Sequence, residues 1–155
     1  MDVHVMTPLG FWQRDADDCE FPHPATFVDV QWKSTVQSVY DSVVLPYLRG
    51  RFHDLVFLES YELGYSFCRF GCDVGKEMGA CTLTDGVYYW PEGFAHYVDV
   101  HDVALPKEFL HHILAQHSMH RITSSPLKLW DSARQTPEPM PRELQQWLLE
   151  HTGVQ

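Results

Sequence analysis

Three cysteines and two histidines in the middle of the chain belong to the residue types that bind transition metals. Cys68 and Cys72 enclose three residues in the segment CRFGC, and Cys81, His96 and His101 follow. Thiolate and imidazole are ligands of Zn²⁺, and cysteines two to four residues apart on a tight turn are typical of structural zinc sites. The glycine before Cys72 permits such a turn. These residues predict a zinc site formed by Cys68, Cys72, Cys81 and His96, with His101 as the alternative to His96.

Two features of the sequence favour a different interpretation of the cysteines. The chain has no second closely spaced pair of ligands, and Cys81 falls in a predicted strand next to aromatic residues. A free cysteine in such a place behaves as a small hydrophobic residue. Under this interpretation the thiols are buried and structural, and no cofactor is expected.

A second set of residues has the composition of an acid–base site. Glu92, His96 and Asp99 occur at positions i, i+4 and i+7, so one helix face would present an imidazole between two carboxylates. A carboxylate that orients a histidine is the arrangement of a general base, which makes Glu92 and His96 the catalytic candidates. The alternative is a solvated helix face, and the sequence contains no familiar nucleophile motif beside these residues.

Aromatic side chains in the same region predict a binding surface. Tyr88 and Trp90 point to one side of a predicted strand, and Tyr97 shares the apolar face of the following helix with His101. If this face is open, it predicts a site for a protein or small-molecule partner. If it is covered, the rings belong to the core and His101 is a core histidine. The candidate ligand- or partner-binding residues are Tyr88, Trp90, Glu92, His96, Tyr97 and His101.

The strands that must position these residues are predicted around a hairpin. Asp85-Gly86 separates MGACTL from VYYW, and this dipeptide is typical of two-residue hairpin turns. The aromatic, alternating segment YSFCRF is the third predicted strand, which would place Cys68 beside Cys81. Pro91 would end the last strand. The pattern predicts a small antiparallel sheet of about three strands.

Helical periodicity flanks this sheet on both sides. Apolar residues repeat at helical spacing from Ser34 to Gly50, with a kink or break predicted near Val44 or Leu45 because of Pro46. Further helices are predicted in PEGFAHYVDVH, after Pro106 and after Pro141. A small sheet packed with four or five helices is an α+β fold.

Length and composition predict one domain over residues 1–155. Residues 1–30 are predicted to be an irregular arm, and residues 121–140 a surface connection with little periodicity. The formal net charge is −10, which argues against nucleic-acid binding. The sequence shows neither a run of apolar residues that could span a membrane nor a secretory signal, so we expect a cytoplasmic protein without membrane contact.

Two phrases of the sequence resemble a group of small, mostly bacterial, uncharacterised proteins. The phrases are GYSFCRFGC at 64–72 and LTDGVYYWPEGFAHYVDVHDVALPKEF at 83–109. That group shares GYSxCRF and TDGxYxWPEGxAHYVxxHxVxLPxEF segments, and FPHPATFVDVQW is similar to its N-terminal half. The resemblance implies a single cytosolic domain and brings no established activity.

The function expected from these observations is a non-enzymatic cytosolic binding or regulatory module. The alternative is a small enzyme or a zinc-stabilised protein whose Cys/His/Glu site lies around the WPEG segment.

Overall fold

The computed structural model describes residues 6–12, 21–61, 65–74, 78–119 and 127–151. Residues 1–5 and 13–20 of the predicted arm and 121–126 of the predicted surface connection lie outside these ranges. Among the described residues, no helix combines the length and the apolar character needed to cross a bilayer.

The described chain forms a mixed sheet with helices packed against it. The strands are β1 Thr7–Pro8, β2 Phe57–Tyr61, β3 Cys81–Thr84, β4 Tyr88–Pro91, β5 Leu129–Asp131 and β6 Thr136–Glu138. The α-helices are α1 Trp32–Thr35, α2 Gln37–Val39, α3 Leu45–Leu48, α4 Phe94–His101, α5 Lys107–Met119 and α6 Arg142–His151, with a 3₁₀ turn at Pro24–Phe27 and a π-helical segment at Tyr40–Val44.

The α+β class is as predicted, but the prediction of a small three-stranded antiparallel sheet is wrong. The described residues form a six-stranded sheet in the order β1-β4-β3-β2-β5-β6. The pairs β1–β4 and β2–β5 are parallel, whereas β2–β3, β3–β4 and β5–β6 are antiparallel. Three strands that were not predicted lie in segments that were predicted to be irregular. β1 lies in the arm, and β5 and β6 lie in the surface connection.

The segment YSFCRF is not a strand. Its place beside β3 is taken by β2, in which Phe57 pairs with Thr84 and Tyr61 with Cys81. The cysteine segment instead turns back on itself, because the Gly71 N–H donates to the Cys68 carbonyl at 2.9 Å and Gly71 has a positive φ of 83°. A hydrogen-bonded turn of this kind interrupts the alternation of a strand.

The predicted hairpin is present. β3 and β4 pair in register from Thr84–Tyr89 to Thr82–Pro91, and Gly86 has a φ of 90°. Asp85 Oδ1 accepts the N–H groups of Val87 and Tyr88, so the aspartate side chain also stabilises the turn.

The helical region before β2 has its irregularity where Pro46 predicts it. The π-helical segment ends at Val44 and α3 begins at Leu45, so the proline occupies the first turn of a new helix. A proline is tolerated at this position because backbone N–H groups in the first turn of a helix have no partner within the helix, so its missing N–H removes no helical hydrogen bond. Tyr47 and Leu48 of α3 are fully buried and pack under β4.

Helix α4 begins directly after β4 and lies over the core. Phe94, Tyr97 and Val98 are buried, and the helix ends at His101 because Asp102 adopts a left-handed φ of 55°. The Asp102 carbonyl accepts the Asp29 N–H at 2.9 Å, which fixes this end of the helix against the N-terminal segment.

Candidate metal centre

Two thiols and two imidazoles converge between the turn at residues 68–71 and helix α4. The Sγ atoms of Cys68 and Cys72 lie 3.4 and 3.1 Å from His101 Nε2. With His96 included, one ligand atom from each of the four residues lies within 4.8 Å of all the others. This Cys₂His₂ cluster could hold a metal ion.

The turn that carries the cysteines is attached to its neighbours at several points. The Arg69 N–H donates to the Tyr97 hydroxyl oxygen at 2.9 Å, and that hydroxyl donates to the Phe67 carbonyl at 3.3 Å. On the other side, the His23 ring nitrogen Nε2 lies 3.2 Å from the Arg69 carbonyl. Ser66 extends the attachment, because its N–H donates to the Gly79 carbonyl. These bonds hold the turn next to α4, and none of them involves a cysteine side chain.

The histidines come from one helix but from different turns of it. His96 is 8% exposed and His101, at the helix end, is half-buried. Their rings lie 5.1 Å apart between centroids and are nearly perpendicular. The Phe70 ring stacks on His101 at 4.1 Å with an interplanar angle of 18°. That stacking fixes the plane of the imidazole whose Nε2 faces the thiols.

The electrostatic environment favours the neutral form of His101. Burial lowers the pKa of its imidazole, the neighbouring His96 lowers it further, and Asp102 acts in the opposite direction. Partial burial raises the pKa of the Cys72 thiol, and the hydrogen bond and charge of Cys68 raise it further. Neutral imidazole is the form that ligates metals, and a bound cation would have to displace protons from the thiols.

The distances from His101 Nε2 to the two thiols fit a tetrahedral ion. For Zn–S and Zn–N bonds of about 2.3 and 2.1 Å, a tetrahedron places sulfur and nitrogen ligands about 3.6 Å from each other. The two sulfur–nitrogen distances to His101, 3.4 and 3.1 Å, are close to that edge length. The remaining pairs of ligand atoms lie within 4.8 Å, so the site would contract around a bound ion.

Cys81, the third predicted cysteine ligand, is not part of this cluster. It is 4% exposed in β3, and its N–H donates to Glu92 Oε1 at 3.0 Å. His101 takes the place that the sequence-based ligand set gave to Cys81. Of that predicted set, the structure brings together Cys68, Cys72 and His96.

Glu92 and His96, the catalytic candidates, lie beside one cavity. They line it together with Arg49, Arg51 and Asp99, and its volume is about 400 Å³. Glu92 Oε1 accepts the N–H groups of Ala80 and Cys81, and burial raises the pKa of its carboxyl despite those two bonds. This carboxylate therefore fastens the start of β3 to the start of α4.

Asp99 is engaged in ion pairs and a hydrogen bond. Its carboxylate accepts the Tyr40 hydroxyl at 2.9 Å and lies 3.6 Å from the Arg49 guanidinium and 3.7 Å from the Lys33 ammonium. These partners tie α4 to the helical region before β2.

The aromatic residues proposed for partner binding are mainly core residues. Trp90 is fully buried, stacks on Tyr47 and donates its indole N–H to the Leu48 carbonyl at 3.0 Å. Tyr97 is 2% exposed, and Tyr88 packs on Phe109 at 4.8 Å between ring centroids. α5 thus covers the face of the hairpin that bears Tyr88 and Trp90.

No protein-family model, curated protein or solved structure matches the chain. The function is therefore argued from the geometry of the cluster.

Proposed function

We propose that this protein binds one zinc ion through Cys68, Cys72, His96 and His101, and that the ion joins the cysteine turn to helix α4. The observation that carries the proposal is the convergence of four ligand atoms within 4.8 Å of one another. Two thiolates and two neutral imidazoles suit Zn²⁺, and the two thiolate charges balance those of the ion.

The number of protein ligands favours a structural role. Four protein ligands complete a tetrahedral shell, whereas catalytic zinc sites keep one position for water or substrate. Two of the ligands, Cys68 and His96, are 4% and 8% exposed, whereas Cys72 and His101 are half-buried. We therefore propose a zinc-stabilised, non-enzymatic module. Its cytoplasmic location, expected from the sequence, would keep the thiols reduced and available to the metal.

Metal analysis of protein purified without chelators tests this proposal. We expect about one zinc ion per chain. Cobalt substitution should add a thiolate-to-metal charge-transfer band and the visible bands of tetrahedral Co²⁺. Cys72→Ser and His101→Asn should lose the metal, whereas Cys81→Ser and His111→Asn, which change the same residue types outside the cluster, should retain it. Metal-free protein that takes up neither zinc nor cobalt would contradict the proposal.

The cavity beside Glu92 and His96 supports a second candidate, an acid–base site for a small anionic molecule. Arg49 and Arg51 on its wall would contact the anion, and His96 would transfer a proton. The two functions make opposite demands on one imidazole, because a metal-bound nitrogen cannot take up a proton. Histidine ring signals followed by NMR across pH separate them: His96 should not titrate in the zinc-loaded protein. Titration of His96 with zinc bound would favour the acid–base site.

A further inference from the structure

We propose that the zinc site is a redox switch, in which a hydroperoxide oxidises Cys68 and Cys72 to a disulfide and expels the metal. The inference rests on the proposed zinc site and adds its regulation. It depends on three observations of the cysteine turn: the mutual approach of the thiols, their unequal burial, and the space around Gly71.

The two thiols are close enough to react with each other. Both approach the same nitrogen, at 3.4 and 3.1 Å from His101 Nε2, and the two Sγ atoms lie within 4.8 Å of each other. They are connected through a turn closed by the Gly71 N–H to Cys68 carbonyl bond of 2.9 Å. Disulfide formation needs the sulfur atoms to approach to about 2.05 Å, which requires the turn to contract.

The turn has room for that contraction. A Cβ placed on Gly71 would meet no atom within 4 Å, so the backbone beside Cys72 borders open space. The bonds that attach the turn come earlier in the sequence, where Arg69 is bonded to Tyr97 and Ser66 to Gly79. Cys72 can therefore approach Cys68 while the attached half of the turn stays in place.

Unequal burial sets the order of the two chemical steps. Cys72 is half-buried and accessible to a small oxidant, whereas Cys68 is 4% exposed. The Cys72 thiolate attacks one oxygen of hydrogen peroxide, the O–O bond breaks, and a sulfenic acid and a hydroxide form. The Cys68 thiolate then attacks the Cys72 sulfur and displaces a second hydroxide. Two electrons pass from the thiolates to the peroxide, and two protons from solvent convert the hydroxides to water.

Loss of both thiolates leaves the ion with two imidazole ligands, which are too few to retain it at the site. The ion leaves as Zn²⁺ with its oxidation state unchanged. The consequence is the release of the cysteine turn from helix α4. A thiol reductant and added zinc restore the closed site.

The test treats zinc-loaded protein with hydrogen peroxide and follows zinc release with a colorimetric chelator and disulfide formation by intact mass and peptide mapping. We expect about one zinc ion released per Cys68–Cys72 disulfide, and reversal by dithiothreitol with added zinc. Cys68→Ser, which lacks a zinc ligand and is treated with peroxide metal-free, should stop at a Cys72 sulfenic acid, which dimedone traps. Cys81→Ser should behave like the unchanged protein.

The outcomes separate this inference from the zinc proposal. If the purified protein binds zinc but keeps it while other groups oxidise, the switch is overturned and the zinc site stands. Zinc release without a Cys68–Cys72 disulfide, or dimedone labelling at Cys68 first, overturns the mechanism. Failure to bind zinc before any oxidant is added overturns both.

Discussion

The Tyr47 hydroxyl donates a 2.6 Å hydrogen bond to Asp85 Oδ2, which joins helix α3 to the hairpin turn inside the protein. The Asp85 side chain is completely inaccessible to solvent, and its other oxygen accepts two turn N–H groups. His112 Nε2 approaches the same Oδ2 to 3.1 Å. Burial, followed by the charge and the hydrogen bond of Asp85, raises the pKa of Tyr47, so its hydroxyl remains a donor at physiological pH.

Tyr47→Phe should therefore destabilise the protein without changing its shape. The variant removes one donor from a buried carboxylate, which costs about 1.5–3 kcal/mol for a hydrogen bond to a charged group. Urea denaturation of the variant and the unchanged protein measures this difference. Tyr61→Phe, at a ring 47% exposed, is the matched control and should change the free energy of unfolding by less than about 0.5 kcal/mol. Equal effects of the two variants would show that Tyr47 contributes no more than a surface hydroxyl.

Zinc removal should lower thermal stability, because the ion binds the folded chain only. At free zinc of about 100 times the dissociation constant, the stabilisation is about 2.7 kcal/mol, or about 5–10 °C in Tm for a domain of this size. Calorimetry with and without a strong chelator measures it. His101→Asn should have a low Tm that chelator does not change, whereas His111→Asn should respond to chelator like the unchanged protein. A Tm independent of chelator in the unchanged protein argues against the site.

The buried carboxyl of Glu92 should make stability fall as pH rises. Its pKa is raised in the folded protein, chiefly by burial, so the folded state keeps a proton that the unfolded chain loses. Between the ordinary pKa of a glutamate and the raised value, the free energy of unfolding should decrease by up to about 1.4 kcal/mol per pH unit. The decrease should be complete above the raised pKa. Denaturation across pH, with chelator present so that metal binding does not contribute, measures the slope.

Glu92→Gln is the variant that isolates this contribution. The amide oxygen can still accept the N–H groups of Ala80 and Cys81, but the side chain no longer ionises. Its pH slope in the same window should be smaller than that of the unchanged protein. Glu143→Gln, at an exposed position in α6, should leave the slope as it is. An unchanged slope in Glu92→Gln would assign the pH dependence to another group.

The approach of Gly79 to Glu92 should make position 79 intolerant of any side chain. A Cβ on Gly79 would lie 1.9 Å from Glu92 Cδ, and the residue has a φ of 67°. Gly79→Ala therefore adds overpacking, typically 1–3 kcal/mol, to a backbone strain of about 1–2 kcal/mol. Gly71→Ala, with a φ of 83° and no neighbour within 4 Å, should show the strain alone. Urea denaturation of both variants in chelator checks this difference, and equal losses would contradict it.

Features encoded by adjacent residues were predictable from the sequence. The Asp85-Gly86 turn is determined by two residues, and the irregularity before Pro46 by one, so neither depends on distant contacts. The extent of the sheet was not predictable in this way. β1 has two residues and β5 three, which is too short for an alternating pattern, and both pair in parallel with strands remote in sequence.

The sequence predicted the types of ligand in the candidate site better than it predicted which residues form it. Cys68 and Cys72 share a local turn, and their spacing identifies them as a ligand pair. His96 and His101 are five residues apart in α4, a separation that places side chains on different helix faces. Their convergence depends on how the cysteine turn is attached to Tyr97 and Gly79, and no local pattern contains that information.

The strand order has a consequence for how the chain folds. The hairpin β3–β4 and its neighbour β2 come from one continuous stretch, Phe57–Pro91, and pair antiparallel. The strands that flank this centre arrive from opposite ends of the chain: Thr7 must find Tyr88, and Leu129 must find Leu58. Closing such long loops is slow compared with forming a hairpin. We therefore expect the middle of the chain to assemble first and the two borders of the sheet to join last, which leaves the edges of β2 and β4 transiently open to pairing with other chains.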